Sequence, residues 1–288
     1  MRIPESELII NSDGSVFHLH LRPEDLADRV ILVGDPSRVG LVAAFFDRIE
    51  CHRENREFFS TTGIYKGKRI TVQSTGIGTE NVDIVMTELD ALANIDFATR
   101  EEKEKKTRLD ILRIGTCGAV QPDIPLNAFV YSEISIGSDG LLNWYKDGEK
   151  VMLKDYEAAF KAHCGWKDSL PDPYFVKAGE EMTARFRDTD VRMGMTVSAP
   201  GFYGPQGRVV RLGLAIPELV QKFETFSFEG RRITNIEMES SAIAGLSRLL
   251  GHNAGTICCA IANRHHKEAN PNYVSRVREM VAFALDKL

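Results

Sequence analysis

The sequence has no long hydrophobic run. No uninterrupted apolar stretch in its 288 residues exceeds six, far short of the roughly 20 that span a bilayer. The opening stretch MRIPESELIINSDGS holds no apolar block of secretory-signal length. Cysteine is scarce and poorly spaced for metal or disulfides. There are five, none in a CxxC or zinc-ligand arrangement, and Cys258 and Cys259 are adjacent within an apolar run. An odd set of dispersed thiols reads as reduced core residues, so the expected compartment is a reducing cytoplasm. Positive charge is also not in excess. The 36 Lys and Arg stand against 41 Asp and Glu, a net charge of -5. Binding to a nucleic-acid backbone needs a basic surface, so neither nucleic acid nor membrane is expected as a partner. Two nucleotide motifs are missing as well. There is no GxxxxGK[ST], which excludes a P-loop NTPase. Gly76-Ile77-Gly78-Thr79-Glu80-Asn81 starts like GxGxxG, but Asn81 stands at the third glycine. Glu101 and Glu102, near the distance of the acidic residue that would complete that fingerprint, lie inside the charge run TREEKEKKT at 99–107. An NAD-dependent oxidoreductase is therefore a weak reading.

What the sequence does contain is an alternation of short apolar runs and helical stripes. Val30–Val33, Ile70–Gln73, Asp110–Ile114, Phe129–Ile136 and Gly255–Ala262 read as strands. Val82, Val85, Met86, Leu89 and Leu92 recur at helical spacing, as do Val274, Val277, Val281, Ala284 and Leu288. Met238, Ala242, Leu246, Leu249 and Leu250 form a third stripe. This order predicts one domain over 1–288, a three-layer α/β/α fold around a mixed, largely parallel sheet. Residues 1–25 read as a polar surface segment. Residues 140–190, with Pro171-Asp172-Pro173, read as an irregular insertion or lid.

In such folds ligands sit beyond the carboxyl ends of strands. Three predicted strand ends are rich in Gly and Thr. They are Gly34-Asp35-Pro36-Ser37-Arg38, Ser74-Thr75-Gly76-Ile77-Gly78-Thr79 and Arg113-Ile114-Gly115-Thr116-Cys117-Gly118. Any one alone is equally a tight turn. Three together, two of them with arginine, suit an oxyanion such as phosphate. Asn235-Ile236-Glu237-Met238-Glu239-Ser240 reads as a helix start. One glutamate there can face a ligand while the other supports it, and the Met238 thioether suits a sugar face. Phe202-Tyr203-Gly204-Pro205-Gln206-Gly207-Arg208 is either a Gly-Pro turn with an exposed arginine or a base reader. Gln206 can pair with O2 and N3–H of uracil, Arg208 can donate to O4, and Phe202 is available to stack.

Taken together, these segments resemble the nucleoside phosphorylases of the purine/uridine type, with the uridine-cleaving branch the nearer match. The resemblance rests on Phe17-His18-Leu19, Gly34–Val39, Arg56-Glu57-Phe58, Ser74–Gly78, Arg113–Thr116, Gln206-Gly207-Arg208 and Ile236–Ser240, all in order. It implies the fold above and reversible phosphorolysis of uridine to uracil and ribose 1-phosphate. It assigns phosphate to Gly34, Arg38, Arg113 and Thr116, with Arg56 reaching in from a neighbouring subunit. It assigns ribose to Met238, Glu239 and Glu237, with His18 from the neighbour at the 5′-hydroxyl, and uracil to Phe202, Gln206 and Arg208. It implies a homodimer or a hexamer built as a trimer of dimers, with shared sites. No cofactor is expected beyond phosphate as co-substrate. Some relatives hold a monovalent cation such as potassium beside the glutamate corresponding to Glu57, but Asn81 stands where a small hydroxyl residue is usual, so the metal stays open. Purine-specific relatives carry an Asp in the late strand-end loop. Here that loop reads Ala260-Ile261-Ala262-Asn263-Arg264. The alternatives are a purine nucleoside phosphorylase or nucleosidase of the same fold and, further off, a nucleoside sensor without catalysis.

Overall fold

Val30 and Leu32 point to one face of a strand, Ile31 and Val33 to the other, and all four are buried. A strand covered on both faces belongs inside a layered α/β fold. That is its place in the computed structural model, which describes residues 2–288. β1 (Arg29–Val33) is followed by α1 (Ser37–Ala43), β2 (Arg48–Asn55), β3 (Phe58–Tyr65), β4 (Lys68–Ser74) and α2 (Thr79–Asn94). The short pair β5 (Ile95–Asp96) and β6 (Glu101–Glu102) precedes β7 (Asp110–Ala119) and β8 (Phe129–Gly137). Then come α3 (Lys154–Cys164), β9 (Tyr174–Lys177), α4 (Glu180–Arg187), β10 (Arg192–Ser198), α5 (Leu219–Thr225) and β11 (Ser227–Phe228). The last elements are β12 (Arg231–Glu237), α6 (Ser240–Leu250), β13 (Asn253–Asn263), β14 (Glu268–Ala269) and α7 (Val274–Lys287).

Twelve strands share one sheet in the order β11-β12-β10-β8-β13-β7-β1-β4-β3-β2, with β9 on β8 and β14 on β13. β1 runs parallel to β4 and β7, and β10 parallel to β8 and β12. β13 runs parallel to β7 but antiparallel to β8, so the sheet is mixed. β12 also reaches β7, pairing Asn235 with Ala119 and Ile236 with Gly118. That pairing closes β12, β10, β8, β13 and β7 into a ring. Val30 and Leu32 pack with Val85 and Leu89 of α2 and Ala242 and Leu246 of α6. Ile31 and Val33 pack with Val42 of α1 and with Val277 and Val281 of α7. The α/β/α layering expected from the sequence is thus present. No helix among the described residues is long and apolar enough to cross a membrane.

Four local expectations need correction. The strand expected to end at Gly115 runs on to Ala119, because Gly118 and Ala119 pair on both sides. Asn235–Glu237 belong to β12, and α6 starts only at Ser240. Residues 1–25 are not simply a polar surface segment, since Val16, Leu19 and Leu21 are fully buried. Residues 140–190 are not irregular. They contain α3, β9 and α4, and Tyr156, Phe160 and Phe175 are core residues.

Candidate active site

The ends of β1, β4, β7, β10, β12 and β13 open on one cleft of about 1740 Å³. Gly34, Arg38, Glu57, Arg113, Thr116, Phe202, Gln206, Arg208, Glu237, Met238 and Glu239 all line it. Residues 140–190 contribute nothing to its wall. At one end, Asp35 accepts from Ser37 N at 2.9 Å and from its hydroxyl at 2.8 Å, which fixes the turn from β1 into α1. Half-buried Arg38 follows, and its guanidinium has no carboxylate partner among the described residues.

Arg113 differs. It lies within β7 and is only 4% exposed. Its side chain folds over Gly115, where an added Cβ would sit 2.2 Å from Nη1. The glycine is needed there for space, not for a turn. Arg113 pairs with Glu239 and, at 3.1 Å, with Glu237, and its Nη1 lies 3.4 Å from Cys258 Sγ. Burial works against its charge, but the two carboxylates outweigh burial and hold the guanidinium above its ordinary range. Burial raises Glu239, an effect opposed by Arg113 and reinforced by Glu237. One cation between two carboxylates leaves an excess of negative charge in the cleft floor.

Glu237 is held by four donors: Ser198 Oγ at 2.5 Å, Ser240 Oγ at 2.7 Å, Glu239 N at 2.9 Å and Ser240 N at 3.0 Å. It therefore satisfies free N–H groups at the start of α6 and cannot turn toward a ligand. Glu239 accepts from Gly78 N at 2.8 Å, which ties the β4 loop to α6. Of the two glutamates, Glu237 supports and Glu239 faces the cleft with Met238.

At the other end, Gln206 is 4% exposed. Arg208 Nη1 donates to Gln206 Oε1 at 2.5 Å and to Phe202 O at 2.6 Å. Arginine only donates, so the Gln206 oxygen must face it and the amide nitrogen must lie on the far side. Nη1 spends both its hydrogens on these two oxygens, so the groups left for a ligand are the Gln206 amide nitrogen, the second lone pair of its oxygen and the other Arg208 nitrogens. The Arg208 guanidinium sits 3.8 Å from the Phe202 ring centre, so one ring face is taken and the free face belongs to a ring 51% exposed. Burial, and then the nearby Arg264 charge, push Arg208 down to about 10. The sequence reading gave Arg264 no role. It donates to Gln206 O at 3.0 Å and so fixes the backbone at Gln206. Asn263, in the late loop, donates to Gln121 O at 3.0 Å and Ile124 O at 2.8 Å and accepts from His266 N at 2.9 Å. Its amide is fully used.

His18 and Arg56 do not line the cleft. Arg56 is exposed, in the turn between β2 and β3, at φ 53°. Its neighbour Asn55 donates to His18 O at 2.8 Å, so His18 and Arg56 share one patch outside the cleft of their own chain. At the expected cation position an amide, Asn81, stands in place of a hydroxyl. Asn81 turns its amide nitrogen to Ile77 O at 3.3 Å. Among the described residues no three His, Cys, Asp or Glu side chains converge on a metal site.

The cleft thus carries Arg38 at one end, Arg113 with Glu237, Met238 and Glu239 in its floor, and Phe202, Gln206 and Arg208 at the other end. Residues 28–287 match the phosphorylase superfamily, and the chain belongs to it. It is 28% identical over 258 residues to a uridine phosphorylase of Thermococcus kodakarensis, covering 88% of this chain and 79% of that one. It is also 28% identical over 279 residues to purine nucleoside phosphorylase DeoD-type 1 of Vibrio cholerae, covering 94% and 95%. Its fold superposes on a Trypanosoma brucei nucleoside phosphorylase whose crystal structure shows uridine phosphorylase activity. The TM-score is 0.87 at 30% identity, with 98% and 100% of the chains covered.

Proposed function

We propose that this chain catalyses the reversible phosphorolysis of uridine to uracil and ribose 1-phosphate. The observation that carries the reading is the donor–acceptor–donor edge made by Gln206 Nε2, Gln206 Oε1 and Arg208. Uracil displays the complement, with O2 accepting, N3–H donating and O4 accepting. Cytosine lacks the N3–H and turns an amino group toward Arg208. A purine reader would need a carboxyl in the late loop, and the Asn263 amide is spent on backbone groups.

A phosphate oxygen attacks C1′ as the C1′–N1 bond breaks, and the bonding pair leaves with uracil. The sugar passes through an oxocarbenium-like state, as in glycoside cleavage. Phosphate is already nucleophilic, so no general base is needed. Gly34, Thr116 and Arg38 hold it, helped by Arg56 from a neighbouring subunit. Arg113, shared between Glu237 and Glu239, lends part of its charge. Glu239 grips the ribose hydroxyls, and its negative charge favours the cationic sugar. Half-buried Arg208, partly desolvated, interacts most strongly when uracil becomes anionic, which is the differential binding catalysis requires.

His18 meets the ribose 5′-hydroxyl of a neighbour's site, so the active unit is a homodimer or a trimer of dimers. No organic cofactor enters the reaction, and phosphate is the co-substrate. Its five cysteines are unpaired, four of them buried, which suits a reducing cytoplasm. The deciding experiment is loss of uridine absorbance on adding phosphate, run beside cytidine, inosine and a phosphate-free control. Equal turnover of inosine overturns the base assignment. Turnover without phosphate makes the protein a nucleosidase, and no turnover of any nucleoside makes it a sensor.

A further inference from the structure

Glu88 lies on α2, is 7% exposed and does not line the cleft. Its two oxygens accept from His18 N at 3.1 Å each and from Leu19 N at 2.9 Å, and His18 Nδ1 lies 2.6 Å from Oε1. An ionised carboxylate only accepts, so the hydrogen of this contact sits on Nδ1. A neutral imidazole protonated at Nδ1 carries a bare lone pair on Nε2. The ring is held edge-on to Phe17 at 4.8 Å and to Phe58 at 6.1 Å between ring centres. Asn55 fixes the backbone carbonyl behind it. Nε2 itself has no partner among the described residues, and the side chain is 27% exposed.

We propose that Glu88 is a positioning residue that fixes the His18 tautomer, so that the protein presents a hydrogen-bond acceptor to the 5′ substituent of the nucleoside. The inference rests on the proposed reading of His18 at a neighbour's ribose. It sets a specificity rule at that position. A hydroxyl, which can donate, is accepted. A 5′-amino group, which as an ammonium only donates, is accepted too. A 5′-deoxy sugar loses the contact. Glu88→Gln reverses the rule. The backbone N–H groups of His18 and Leu19 keep the amide oxygen, so the amide nitrogen faces Nδ1 and the proton moves to Nε2. The ring then donates and opposes a donor-only group.

The test has two arms. The first is nitrogen NMR of the labelled His18 imidazole in the full-length protein. Wild type should carry its proton on Nδ1 and Glu88→Gln on Nε2. The second is kcat/KM for uridine and 5′-amino-5′-deoxyuridine. The ratio of uridine to amino analogue should rise by about tenfold or more in Glu88→Gln, the scale of a hydrogen bond to a charged group made or lost. Far-UV circular dichroism and a subunit assembly matching wild type would show that the fold is intact. A wild-type proton on Nε2 overturns the inference without any variant. A tautomer switch that leaves the ratio unmoved, while His18→Ala still raises the uridine KM, overturns the inference and spares the His18 reading. Wild-type kinetics in His18→Ala overturn that reading and the inference with it.

Discussion

Arg38 lines the cleft without a carboxylate partner among the described residues, whereas Arg113 is held by Glu237 and Glu239. Arg38→Ala should raise the phosphate KM or lower kcat by about 10², the scale of losing one preorganised donor. Uridine affinity measured by calorimetry without phosphate should stay nearly constant. Gln206→Ala breaks the base-reading edge and should lower kcat/KM for uridine, while discrimination against cytidine narrows. The cleft-lining residues were legible in the sequence because their motifs are local, whereas His18 and Arg56 fall outside the cleft. The states of the cleft residues were not legible. Arg113 reads there as a free anion ligand, yet strands far apart in sequence bring two carboxylates onto it. Glu88 left a faint signal, a charge three residues after Val85 and four before Leu92 on the buried stripe of α2.

At the scale of elements, the junction from β12 into α6 concentrates the site's electrostatics. Ser198→Ala removes one of four donors to a buried carboxylate and should cost about 1.5–3 kcal/mol, the range for a hydrogen bond to a charged group. The denaturant midpoint should drop with an unchanged slope. Gly115→Ala places a methyl on the Arg113 guanidinium. It should displace Arg113 from both glutamates and lower stability and kcat together, whereas Gly213→Ala, where nothing lies within 4 Å, should do neither. The buried strands and α2 and α7 were legible because burial imposes periodicity on their sequences. β2 was not, since it lies at the sheet edge with most of its residues exposed, so pairing with β3 rather than its own pattern makes it a strand. The start of α6 was misplaced for a related reason. Glu237 looks like a first-turn residue but ends a strand, and caps the helix from there.

For the whole molecule, the position of His18 and Arg56 outside their own cleft makes sharing of sites testable. An Arg56→Ala chain and a Glu239→Gln chain, each nearly inactive, should recover roughly a quarter of wild-type activity when unfolded together and reassembled. Half the dimers are mixed, and one of the two sites in each is intact by two-fold symmetry. Glutamine is the better choice at Glu239, because deleting one partner of a buried ion group costs about 3–5 kcal/mol. The fold class was legible from strand and helix alternation, whereas the ring closure was not, since no local pattern marks β12 as a partner of β7. That closure also governs how the molecule breathes. Arg113 and Glu237 stand on strands sealed to each other through Gly118, Ala119, Asn235 and Ile236, so the cleft floor cannot open without parting the ring. Amide hydrogens at those four positions should exchange with deuterium only through global unfolding, with the same denaturant dependence as the whole protein, while those of edge strand β2 exchange through small local fluctuations.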